Sequence, residues 1–147
     1  MSHQRIRKRL YFKWSEFGNG KKFLEIVLDK EPLYVYLGFK YPAYVTLFGY
    51  FPVAETHTLA YEEYALKRQT ALPDNRIQLY VCDQCGDIYC TSITAELIDR
   101  GDEVAWADIA KQNEPGHLSE LIGVDDIVFE KEQYLAELSR IKNMHAR

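Results

Sequence analysis

Apolar residues recur at alternate positions over most of this chain, and turn-forming groups break the alternation at short intervals. Ile6, Leu10 and Phe12 are followed by Phe23, Leu24, Ile26 and Leu28, with Asn19-Gly20 between them as a hairpin signal. Leu33 to Phe39 predicts a strand with Leu33, Val35, Leu37 and Phe39 on one face, ended by Tyr41-Pro42. Val45 to Phe51 predicts another, stopped by Pro52. Ile77, Leu79 and Val81 alternate, and Thr91, Ile93, Ala95 and Leu97 resume after a turn. Asp99-Arg-Gly-Asp102 marks a second hairpin, answered by Val104, Trp106 and Asp108 on one face, and Ile127-Val-Phe129 is a further short run. Helical signals are few. Thr58 is placed to cap a helix near 58–70, and Tyr134, Leu135, Leu138 and Ile141 give a helix near 130–143. Many strands with about two helices predict an α+β fold, mainly antiparallel. At 147 residues, one globular domain spanning 1–147 is expected.

Composition narrows the function classes. An apolar share of 47% and a charged share of 27% suit an ordinary globular chain. No stretch reaches the ~20 apolar residues of a membrane helix. The basic opening Met-Ser-His-Gln-Arg lacks an apolar core and cleavage site, so it does not read as a secretory signal. Three cysteines, an odd number, argue for a reducing compartment and against a disulfide framework. Cytoplasmic location is the expectation.

Charge is unevenly spread. Residues 1–40 carry nine Lys/Arg against four acids, whereas residues 83–137 carry fourteen acids against Arg100, Lys111 and Lys131. These are solvated faces, or the acidic half meets a basic partner. Nucleic-acid binding would rest on Arg5, Arg7, Lys8, Arg9 and Lys13 with Tyr11, Phe12 and Trp14, and the acidic remainder would repel phosphate. The eight aromatics between 34 and 51 suit sheet packing better than a binding surface.

The three cysteines, Cys82, Cys85 and Cys90, lie in one run, Tyr-Val-Cys-Asp-Gln-Cys-Gly-Asp-Ile-Tyr-Cys. A Cys-x-x-Cys-Gly turn suits a metal knuckle, a redox dithiol or a tight hairpin with free thiols. Catalytic dithiols begin a helix, whose dipole lowers the thiol pKa. This pair lies between strand-like segments, and Asp83 and Asp87 oppose a thiolate. Zinc would take Cys82, Cys85 and Cys90 and needs a fourth ligand, a distant His57 or His117 or a carboxylate. His57 with Glu62 and Glu63 offers acid-base groups, although a capping or partly exposed histidine is commoner. There is no His-Glu-x-x-His pair, no Gly-x-Ser-x-Gly elbow and no glycine-rich phosphate loop.

The stretch Leu79 to Cys90, with Trp106 and Phe129-Glu-Lys-Glu-Gln-Tyr134, resembles a family of small uncharacterised bacterial proteins, some labelled oxidoreductases. That similarity covers about residues 77–138. Thr91 stands where that family often has Gly. By type, the chain is also similar to the small acidic immunity proteins encoded beside bacterial toxins. The resulting expectation is a non-catalytic protein-binding protein without cofactor. Its partner would be a basic toxin domain such as a nuclease, rather than nucleic acid or membrane. Asp99, Asp102, Glu103 and Asp108, with Glu120, Asp125 and Asp126, are the candidate contacts. The alternative is a zinc-binding or thiol-based redox enzyme centred on the cysteine turn.

Overall fold

In the computed structural model, residues 5–18, 20–40, 44–51, 54–84 and 90–144 are described. The first hairpin forms as its alternation predicts: β2 (Leu10–Phe17) pairs antiparallel with β3 (Lys21–Leu28), Trp14 standing opposite Leu24. A two-residue β4 (Glu31–Pro32) completes this small sheet in the order β2-β3-β4. The main sheet runs β1-β9-β7-β6-β5, from β1 (Arg5–Arg7), β9 (Asp126–Glu130), β7 (Glu103–Gln112), β6 (Ser92–Asp99) and β5 (Arg76–Tyr80). A short β8 (Glu120–Leu121) pairs with β7 beyond the end of β9. Among the described residues only β1 with β9 is parallel, so the antiparallel α+β class is what the chain adopts.

Alternate residues of the main sheet, Ile77, Leu79, Ile93, Leu97, Val104, Trp106 and Phe129, form one buried cluster. It also takes Leu10, Phe12, Leu24 and Ile26 from the small sheet, Tyr61 and Tyr64 from α2 (Ala54–Tyr64) and Tyr134, Leu138 and Ile141 from α3 (Lys131–Ile141). Among the described residues no helix is long and apolar enough to cross a membrane.

Four local expectations are corrected. Leu33–Tyr36 is a short helix, α1, rather than a strand. Leu33 and Leu37, four apart, are both buried while Val35 is exposed, and Gly38 at φ 85° ends the turn. Val45 to Phe51 is largely irregular: Val45 makes a single bridge to Val81, and Gly49 lies at φ 88° against the Trp14 ring. Thr58 lies inside α2, which begins at Ala54 and ends at Tyr64, and its exposed side chain caps nothing at the helix start. Asp108 likewise leaves the Val104–Trp106 alternation. It adopts φ 47° at a register shift between β6 and β7, and buried Arg76 donates from Nη2 to its carbonyl at 2.6 Å.

The outer edge of β2 is closed by side chains of α3 in place of a strand. Leu10 N–H donates to Gln133 Oε1 at 2.9 Å, and Gln133 Nε2 donates back to the Leu10 carbonyl at 2.6 Å. Phe12 N–H donates to Glu137 Oε2 at 2.6 Å, and Arg140 Nη2 donates to the Phe12 carbonyl at 2.7 Å. Positions 133, 137 and 140 share a helix face, so one helix satisfies two successive outward-facing residues of the strand. Replacing Glu137 with Ala should cost about 1–3 kcal/mol, because it leaves a buried N–H without acceptor and Arg140 without its carboxylate. Chemical denaturation measures that loss. Light scattering should show concentration-dependent association once Gln133→Ala bares the rest of the edge.

Candidate functional site

The hairpin joining β6 to β7 places Asp99, Asp102 and Glu103 beside the start of α3, where Lys131 N–H donates to the Asp102 carbonyl at 2.9 Å. A depression of about 380 Å³ opens there, lined by Gly101, Asp102, Glu130, Lys131, Glu132 and Leu135. Asp102, Glu130 and Glu132 are exposed. The one ammonium, Lys131, is held at 2.9 Å by Asp99, whose carboxyl it keeps below the ordinary range with help from the Gly101 N–H. The depression thus presents three exposed carboxylates around an apolar floor. Glu130 and Glu132 are absent from the expected set, and only their position at the β9–α3 junction brings them to the hairpin.

Of the remaining expected contacts, Glu103 faces β1 and the others lie away from the hairpin. Glu103 pairs with Arg7 of β1. Asp126 is buried, and its Oδ1 accepts from Asp108 N–H at 3.4 Å. Asp125 gives its carbonyl to the Tyr36 hydroxyl at 3.0 Å, and Glu120 lies 3.9 Å from Lys111 on β8. Part of the charge asymmetry is therefore answered within the molecule. Arg7 meets Glu103, and Lys21 meets Asp83 at 2.8 Å.

Of the cysteines, Cys82 is a half-buried free thiol and Cys90 is disulfide-bonded, whereas Cys85 lies outside the described residues. The expectation of reduced thiols therefore fails at Cys90, and a disulfide sulfur is no thiolate ligand. His57 is no fourth ligand. It is buried, its Nδ1 accepts from Gly49 N–H at 3.1 Å, and its Nε2, assigned as the protonated nitrogen, donates to the Ile141 carbonyl at 2.8 Å. It ties the loop before α2 to the end of α3, so it is neither a capping nor a partly exposed residue. His117 sits exposed in the loop before β8. Among the described residues no group of three or more His, Cys, Asp or Glu gathers as a metal site.

One buried carboxyl escaped the sequence patterns. Glu25 on β3 is only 4% exposed; its Oε2 accepts from the Tyr80 hydroxyl at 2.8 Å and from Ile26 N–H at 2.9 Å. Desolvation pushes its pKa up to about 7, with those two hydrogen bonds opposing the rise. Burial beside that carboxyl also drives the Tyr80 hydroxyl far up.

Comparison with known proteins returned no matching family model, no similar curated protein and no similar solved structure.

Proposed function

We propose that this chain is a non-catalytic protein that binds another protein through the acidic depression at the β6–β7 hairpin, and that it serves as an immunity protein neutralising a basic bacterial toxin domain. The observation that carries this reading is the trio Asp102, Glu130 and Glu132, exposed around Leu135, with Lys131 already paired to Asp99 and the Arg9 guanidinium near Glu130 alone of the three. A basic side chain entering there finds negative charge at the rim, chiefly from Asp102 and Glu132, and apolar area beneath it. Summed charge of this kind speeds encounter more than it strengthens folding. Immunity proteins, which the chain resembles by type, work against nuclease domains whose substrate clefts are basic.

The test is a pulldown from the native strain, followed by association kinetics with the retained protein. Charge reversal at Asp102 and Glu132 should slow association about tenfold or more at low salt and leave the unfolding midpoint nearly unchanged. Rates indifferent both to ionic strength and to the substitutions would end the electrostatic reading. A second reading, thiol–disulfide chemistry at the cysteine turn, is favoured by one observation: Cys90 is in a disulfide while Cys82, eight positions earlier, keeps its thiol.

A further inference from the structure

On β3, Lys21, Phe23 and Glu25 occupy alternate positions, and each meets the end of β5 or the residues after it. Lys21 pairs with Asp83, Phe23 packs with Val45 and Val81, and Glu25 accepts from Tyr80. Val81 is further tied to Val45 by two backbone bonds of 2.8 and 3.1 Å. These contacts are the seam that fastens the small sheet to the main one, immediately before Cys82.

Glu25 is the weak member of that seam. Both of its hydrogen bonds fall on Oε2, and Oε1 is the one buried side-chain oxygen or nitrogen among the described residues that has no partner. No cation faces it. Lys13, its cross-strand neighbour on β2, is exposed and forms no ion pair among the described residues, and Lys21, four residues earlier on β3, is occupied by Asp83. From α1 and the following loop, the Tyr34 backbone supports the Tyr80 hydroxyl and the Tyr44 ring lies 6.4 Å from that of Tyr80, while Lys40 is exposed. Glu31 of β4 is exposed and adds no positive charge. A neutral carboxyl is tolerable in such surroundings, whereas a carboxylate is left with one hydroxyl, one amide and a bare oxygen.

We propose that Glu25 is a proton-operated latch on this seam: protonated, it stays dry between β3 and the end of β5; ionised, it draws water inward and loosens Val81 and the approach to Cys82. The elevated ionisation range of the group places the change near neutral pH. The device is independent of the partner-binding reading, because the seam and the acidic depression share no residue.

Amide hydrogen exchange tests it, with each rate corrected for the pH dependence of exchange itself. Protection at the Val45 and Val81 amides should fall about tenfold or more between pH 6 and pH 8.5, while Val104 and Trp106 in the β6–β7 ladder keep theirs. In Glu25→Gln the fall should vanish. In Tyr80→Phe, which removes a bond favouring the ionised form, the transition should move to higher pH, as a titration of the labelled Glu25 carboxyl reads directly. Protection at Val81 that is flat with pH, or a fall that is unchanged in Glu25→Gln, overturns the latch. Equal loss across β6–β7 also overturns it, since that signals global opening.

Discussion

Between about pH 5 and pH 8 the unfolding free energy should drop by about 2–3 kcal/mol through Glu25 alone, and Glu25→Gln should remove that drop. The sign follows from proton binding. In the unfolded chain the carboxyl ionises at its ordinary 4.5, whereas in the folded protein it holds its proton up to about 7. Between those values the folded state binds more protons, so stability is greatest below the lower value and is lost as pH rises through the upper one. Gln keeps an oxygen for Tyr80 and Ile26 but puts an amide N–H₂ where Oε1 finds no partner, at a cost of about 1–2 kcal/mol. The variant should therefore be weaker than the parent at pH 5 and gain on it steadily toward pH 8. Denaturation curves at several pH values read this directly. A parent and variant that remain parallel throughout would mean that Glu25 ionises normally in the fold.

Trp106→Ala should be more damaging still, with a loss of about 3–5 kcal/mol at any pH. Trp106 is fully buried, with its ring centroid 4.7 Å from Phe129, 5.8 Å from Tyr64 and 6.2 Å from Tyr134. Its indole N–H donates to the Tyr134 hydroxyl at 3.3 Å, which itself donates to the Tyr64 carbonyl at 2.8 Å. One truncation thus opens a cavity where β7, β9, α2 and α3 converge and strips a donor from a buried hydroxyl. Against a total of about 5–15 kcal/mol for a domain, the variant should be near the limit of folding. Trp14, 41% exposed, is the control: its loss should cost about 1 kcal/mol or less. Urea unfolding distinguishes the two, and similar midpoints would place Trp106 outside the core.

The elements legible in the sequence are those whose neighbours lie close along the chain. The β2–β3 and β6–β7 hairpins follow from alternation and turn residues, and α3 from Tyr134, Leu138 and Ile141 at helical spacing. The strand expected from Leu33 to Phe39 fails for a physical reason. Its apolar residues fit a period of two, yet Leu33 and Leu37 also fit one helical turn, and packing selected the helix. Val45 to Phe51 has strand composition, but among the described residues its backbone makes one bridge, to Val81, and accepts one bond from Leu24 N–H at Phe48, too little for a ladder.

The site divides in the same way. Asp99, Asp102 and Glu103 are marked by their own turn, but Glu130 and Glu132 join them only because β9 lies beside β7 and α3 starts at its end. Glu25 carries no mark in the sequence beyond standing between Leu24 and Ile26. It is buried because the end of β5 closes over that face, and no local pattern encodes the arrival of a second sheet. Alternation and turn chemistry, which act over a few residues, were enough to determine the class of fold and the tip of the acidic hairpin. Which charges stay bare, which are paired and which lose their water was decided by the tertiary structure, because desolvation and Coulomb energy depend on distance in space rather than along the chain.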